Sequence, residues 1–232
     1  FGIPISANLA RVSNSKLIKR VYKFLEKSKM DLADRYVTYN CLFENQDKKA
    51  LYLNKLNVSL ANIDSYEIAR NKFSESDTED PRDAALYFDL TSWLPDSQLA
   101  KVDIASMSAS LEARSPFLDQ DIVELASKMP FDLKVHGNEY KYILKKTVEK
   151  IVPRENLYRK KMGFTIPLGS WFTGNLNGYT KSILFDKRAM LSKSINKQKI
   201  KAMLSSHSQK RDYGLKLWSL LTLELWFKRF FS

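Results

Sequence analysis

A single cysteine, Cys41, occurs in the 232 residues. It excludes an internal disulfide and any cysteine-based zinc cluster, and it suits a reducing cytosol. No cysteine opens the chain, so an N-terminal cysteine nucleophile is excluded as well. Histidine is nearly as scarce: His136 and His207 are the two, and neither has a partner at the spacing of a metal site or catalytic triad. His136 sits in a predicted turn and His207 in a serine-rich stretch, so both read as surface histidines. Only seven glycines are present, with no Gly-Gly pair and no Gly-x-Gly. A phosphate cradle needs close glycines so that backbone amides converge on the anion, so no nucleotide-phosphate loop is encoded here. Long apolar runs are missing too. The longest, Leu217 to Phe227, falls short of the ~20 residues a membrane helix needs and carries Glu224, so it reads as a buried helix of a soluble protein. Phe1 begins the sequence without methionine or a signal-peptide pattern, and the chain is expected to be trimmed or excised.

What remains is an ordinary globular composition, 44% hydrophobic and 28% charged, long enough to bury a core. The net charge of +12 raises the reading of a non-catalytic, basic helical module that binds anionic polymers such as nucleic acid. The basic residues are scattered, however, through Lys16 to Lys29, Lys145 to Lys161 and Lys187 to Arg211, with no zinc-finger spacing or aromatic RNA-binding signature. That distribution fits a solvated surface better.

Apolar residues recur three and four apart nearly throughout, so the chain is predicted to be mostly α. Helices are expected over Leu17 to Leu25 and Asp34 to Phe43. After a polar loop from Ser74, Asp80 and Pro81 supply an N-cap and a first-turn proline for a helix through Trp93. Pro95 is expected to break that helix and start the next. Another runs from Asp119 to Met129, stopped by Pro130; Gly137-Asn138 marks a turn; a stripe from Tyr140 to Ile151 ends before Pro153. Arg154 to Gly178 holds four glycines and Pro167 and is expected to be mainly loop with short helical turns. A short helix follows Asn196 and ends at Ser206, and a last one runs from about Gly214 to Phe231. With no repeat, low-complexity tract or clear linker, residues 1–232 are predicted to form a single helical unit.

The stretch W-L-P-D-S-Q-L-A-K-V-D-I-A-S-M-S-A-S-L-E-A-R-S-P-F-L-D, Trp93 to Asp119, resembles the synthetase domain of glutamine-dependent asparagine synthetases, L-P-D-x-x-L-x-K-x-D-x-x-S-M-x-x-S-L-E-x-R-x-P-F-L-D, from Leu94 to Asp119. A second stretch, Y-R-K-K-M-G-F-T-I-P-L-G-S-W from Tyr158 to Trp171, is similar to that family's R-x-K-x-G-F-x-x-P-L-x-x-W loop at Arg159, Lys161, Gly163, Phe164, Pro167, Leu168 and Trp171. The terminal R-D-Y-G-L-K-L-W-S-L-L-T-L-E-L-W compares as well. The resemblance implies the helical C-terminal half of an adenine-nucleotide-hydrolase-like α/β synthetase domain, with the nucleotide-binding sheet absent from this chain. It implies an ATP-dependent amidotransferase that converts aspartate to an acyl-adenylate, releases pyrophosphate, and lets ammonia displace AMP. ATP with Mg is then a substrate of the intact enzyme, aspartate and glutamine or ammonia are the other substrates, and a glutaminase domain and the nucleotide-binding half are the missing partners. Ring-closing relatives of the fold use peptide or lactam precursors, so the acceptor stays open, with aspartate the default. The fragment alone is expected to be inactive, and to expose an apolar surface through which it self-associates.

By position in this loop, the resemblance gives Lys161 the role of contacting the phosphates and stabilising the transition state, and Arg159 that of orienting the loop or adding a second phosphate contact. A basic side chain there would stabilise charge on the departing pyrophosphate without covalent chemistry. Read without the resemblance, Arg159-Lys160-Lys161 is a solvated basic run before a glycine, and Lys160 is given no role. Lys141 matches a family helix start and either faces the nucleotide or lies along the surface. Asp103 and Glu112 offer a carboxylate pair, but Lys101, Asp103, Glu112 and Arg114 read as scaffold, with Arg114 in a buried or half-buried ion pair and Asp119 as an N-cap.

Overall fold

The computed structural model describes residues 21, 24–160, 163, 166–207 and 212–231. The helix predicted over Leu17 to Leu25 falls largely outside them. The described chain is mostly α, with one two-stranded sheet. Its contacts gather into two compact units, residues 1–36 with 66–163, and residues 37–65 with 164–232.

In the first unit, α1 (Leu32–Asn40) contributes its first half. It ends at Asn40, short of the predicted Phe43. Tyr36 meets Phe73 of α4 (Glu67–Ser74) and Phe88 of α5 (Pro81–Phe88) edge-on, each at 5.6 Å, and its hydroxyl donates to Asp89 Oδ2 at 2.7 Å. Arg70 grips Asp34 with two nitrogens, at 2.7 and 2.9 Å. Asp80 caps α5 as expected, its side chain accepting the Arg82 amide at 2.8 Å with Pro81 in the first turn.

The predicted break at Pro95 does not occur. From α5 the chain continues through a π-helical segment, Asp89–Leu99, into α6 (Ala100–Met107). In an α-helix the proline ring collides with the carbonyl four residues back. The wider π turn relieves that collision, and the Ala100 amide donates to the Pro95 carbonyl, five residues back. The hydroxyls of Thr91 and Ser92 take up the carbonyls of Tyr87 and Phe88 at 2.8 and 2.5 Å. α6 then ends at Met107, well before Pro116, in a Schellman turn: Ser110 N–H reaches Met107 O at 2.9 Å, Leu111 N–H reaches Ser106 O at 3.0 Å, and Ser110 takes φ 57°.

Asp119 caps α7 (Gln120–Lys128) by accepting the Asp121 amide. The short α8 (Phe131–Lys134) leads into a hairpin of β1 (Val135–His136) and β2 (Glu139–Tyr140). Gly137 takes φ +57° at the first turn position, where a two-residue hairpin of the II′ kind needs a positive φ. Tyr140 therefore belongs to a strand, and the helix that follows, α9, covers only Tyr142–Val148. α10 (Arg154–Tyr158) closes the unit.

The second unit holds α2 (Asn45–Leu51), α3 (Asn54–Ser59), α11 (Leu168–Thr173), α12 (Asn175–Leu184), α13 (Lys197–Ser206) and α14 (Gly214–Phe230). α10 and α11 are the short helical turns expected after Arg154, whereas Gly178 lies inside the longer α12, which the glycines did not suggest. Leu51, Leu168, Phe172, Leu184, Leu191, Ile195, Ile200, Leu204, Leu217, Leu220 and Leu221 form one buried core. Burying each such side chain contributes about 1.5–3 kcal/mol. Residues 51–53 pair with 194–196 through the Tyr52–Ile195 bridge. Asn196 caps α13 by accepting the amides of Gln198 and Lys199. Glu224, fully buried, accepts the amides of Met190 and Leu191 at 3.0 and 2.9 Å, holding the 3-10 turn Met190–Lys193.

Candidate functional site

The described residues on either side of the basic stretch, Tyr158 in the first unit and Pro167 in the second, are each held by their own contacts. At its amino end, in the first unit, Tyr158 closes α10. Its hydroxyl donates to Glu149 Oε1 at 3.1 Å, and Arg154 donates to the same oxygen at 3.3 Å. The Arg154 guanidinium also stands 4.6 Å from the Tyr158 ring centre, and the Lys145 ammonium 5.1 Å. The Tyr158 hydroxyl bond, then the charge of Lys146, holds the Glu149 carboxyl below its ordinary range. Arg159 follows with extended backbone (φ −59°, ψ 148°). Arg159 and Lys160 are exposed, and neither forms an ion pair with another described residue. Lys161 lies outside the described residues, as do Met162, Phe164 and Thr165.

At the carboxyl end, in the second unit, Pro167 begins α11: its carbonyl accepts the Trp171 amide at 3.1 Å and the Ser170 hydroxyl at 2.9 Å. Leu168 and Phe172 enter the core while Trp171 stays at the surface. Gly169 is held from outside the helix. His207 Nε2 lies 2.9 Å from the Gly169 carbonyl, and the Tyr213 amide donates to His207 Nδ1 at 3.0 Å. Asp212 accepts the Gly214 amide at 2.7 Å. A Cβ on Gly214 would sit 3.1 Å from the Leu168 Cβ and 3.3 Å from the Gly169 nitrogen, so this close approach of α14 to α11 favours glycine. The P-L-x-x-W and D-Y-G-L-K-L-W stretches thus meet at one point.

His207 is buried and bonded through both ring nitrogens, which overturns its reading as a surface histidine. Its partners are 38 and 6 residues away, separations that helical periodicity does not register. His136 stacks on Tyr142 at 4.8 Å. The Glu112–Arg114 pair does form, at 2.7 Å, but its side chains are 69% and 85% exposed, so it is a surface pair of small energetic weight and not the buried or half-buried one expected. Both carboxylates of the Asp103 and Glu112 candidate pair are exposed. Lys101 bonds Gln98 at 3.2 Å. Lys141 is exposed in the left-handed region (φ 58°) at the N-cap of α9. Among the described residues no group of three acidic, histidine or cysteine side chains stands close enough to hold a metal ion, and no helix is long and apolar enough to cross a membrane.

The Trp93 to Asp119 stretch leaves several of its apolar side chains exposed. Ile104 is 71% exposed, Leu111 63% and Phe117 62%, with Trp93 and Met107 about half exposed. An asparagine synthase family model matches residues 5–228. The chain belongs to the asparagine synthase family. It is 33% identical over 203 residues to asparagine synthetase [glutamine-hydrolyzing] 1 of Bacillus subtilis, covering 87% of this chain and 31% of that protein. It is 32% identical over 114 residues to asparagine synthetase [glutamine-hydrolyzing] 3 of the same organism, covering 49% of this chain and 19% of that protein. The chain thus spans less than a third of the length of these relatives. No solved structure gives a significant match.

Proposed function

We propose that this chain is the helical C-terminal part of an ATP-dependent amidotransferase that makes asparagine from aspartate. In this reading the aspartate side-chain carboxylate attacks the α-phosphorus of MgATP, pyrophosphate leaves, and ammonia then displaces AMP from the acyl-adenylate. Lys161 faces the phosphates and stabilises the charge that grows on the departing pyrophosphate, with Arg159 as a second cationic contact or an orienting group. The observation that carries the reading is the family match across nearly the whole chain, with both R-x-K-x-G-F-x-x-P-L-x-x-W and the long signature inside it. The exposed arginine at the loop's start, the anchored Pro167 to Trp171 end and the absence of Gly-x-Gly agree with a chain that lends a cationic loop to a nucleotide site built elsewhere.

The uncovered face around Ile104, Leu111 and Phe117 is where the nucleotide-binding part of the domain packs, and ammonia comes from a glutaminase domain. Residues 1–232 act together as one portion of that synthetase domain, in the cytosol. The reading is tested on the intact protein supplied with aspartate, ATP, Mg and ammonium: asparagine, AMP and pyrophosphate should appear together. Formation of ADP and phosphate instead, or no dependence on aspartate, would remove it.

A further inference from the structure

Within the second unit, the end of α12 and the middle of α13 border a cavity of about 360 Å³, lined by Lys181, Phe185, Lys201, Leu204 and Ser205. Small-molecule sites span roughly 300–1,000 Å³, so this one is large enough. Helical spacing builds it. Lys181 lies one turn before Phe185, at the end of α12, and Lys201 lies one turn before Leu204 and Ser205 in α13. Each element thus offers an apolar side chain and, on the same face, an ammonium group. Leu204 is buried and Phe185 half-buried, whereas both lysines are exposed.

The charge at this cavity is uncompensated. No carboxylate lines it, and neither lysine ammonium has an ion pair or hydrogen bond among the described residues. Other lysines of the unit do find acids, Lys216 with Asp47 and Lys228 with Asp186. Asp186, next to Phe185 in the chain, is committed to Lys228 at 3.5 Å and to the Arg188 amide at 2.8 Å. From Lys187 to Arg211 the sequence has no Asp or Glu at all. Lys181 complements the dipole at the last turn of α12, but Lys201 sits in the middle of α13, where no such role exists. Two cations beside an apolar hollow favour an anionic ligand over a neutral or cationic one.

We propose that this cavity binds a small anion with an apolar body: a ring or short chain packs on Phe185 and Leu204, and a carboxylate or phosphate monoester head takes charge-assisted hydrogen bonds from Lys181 and Lys201. The Ser205 hydroxyl is already given to the Ala202 carbonyl at 3.2 Å, so recognition of the head rests on the two lysines. All the lining residues belong to one unit, and the site is independent of the reaction proposed above.

The test uses the intact protein with isotope-labelled leucine methyl groups, read by NMR at Leu204. Phenyl phosphate and phenylpropanoate are the probes; inorganic phosphate lacks the apolar body, and phenylpropanol lacks the charge. Either organic anion should shift the Leu204 methyl resonances saturably, with a Kd on the order of 1 mM, and the tighter of the two identifies the head group. Phenylpropanol and inorganic phosphate should each bind about tenfold more weakly. Lys181→Gln and Lys201→Gln should each raise Kd about tenfold with the thermal midpoint of the free protein unchanged. Lys187→Gln, at an exposed lysine outside the cavity, should leave Kd as it is. No saturable shift with either anion would overturn the site. Equally tight binding of phenylpropanol would overturn the requirement for charge, and an equal loss in Lys187→Gln would overturn the assignment to Lys181 and Lys201.

Discussion

The side chains that best report the physics of this chain are polar and buried. Thr180 is fully buried and its hydroxyl has no hydrogen-bond partner among the described residues. An unpaired hydroxyl in a core is a cost, and valine has nearly the same shape, so Thr180→Val should raise stability by about 1 kcal/mol in urea unfolding. Glu224 is the opposite case, with both carboxylate oxygens engaged by amides. Glu224→Gln sets an NH2 group against one of those donors and should lower stability by about 2–3 kcal/mol. Neither role is visible in a hydropathy pattern. Glu224 looks like an interruption of an apolar run, and His207 like a surface residue. What decides them is a partner far along the chain, and no local spacing encodes that.

Elements were far more legible than single side chains. The caps at Asp80 and Asp119 and the turn at Gly137 follow from rules that act within four residues, and the structure contains them. Pro95 and Gly178 misled for a physical reason. A widened helix accommodates the proline, and packing of α12 into a large core outweighs the entropic cost of one glycine. The Asp80 cap also makes a pH prediction. The Arg82 side chain, then its amide, pulls the Asp80 carboxyl down to about 2. Because the folded value is depressed, the contribution is complete above the unfolded value near 4 and is lost as pH falls through about 2. A carboxyl NMR titration should find the low midpoint, and Arg82→Ala should return it toward 4. At the end of α6, Ser110 occupies a position that favours glycine, so Ser110→Gly should stabilise the protein by about 0.5–1 kcal/mol, read as a rise in thermal midpoint.

At the scale of the whole molecule, the apolar signature stretch identifies the family while lying largely uncovered. Its hydrophobic positions were plain in the sequence. That they are not buried by this chain was not, because a pattern shows which face is apolar but not what covers it. The large buried core belongs instead to residues of the second unit, which include the carboxyl-terminal anchor of the basic loop. The 232 residues alone should therefore bind a hydrophobic dye strongly and show no aspartate-dependent pyrophosphate exchange, since the chain has no glycine-rich phosphate cradle. Exchange by these residues alone would contradict the proposal that the nucleotide site is built elsewhere. The most direct test of that proposal is the exchange rate of labelled pyrophosphate into ATP, with aspartate present, in the intact enzyme and its Lys161→Ala variant. Removing one preorganised cation from the departing pyrophosphate should slow exchange about 100-fold or more while thermal unfolding stays unchanged, whereas exchange at the parental rate would contradict the role given to this loop.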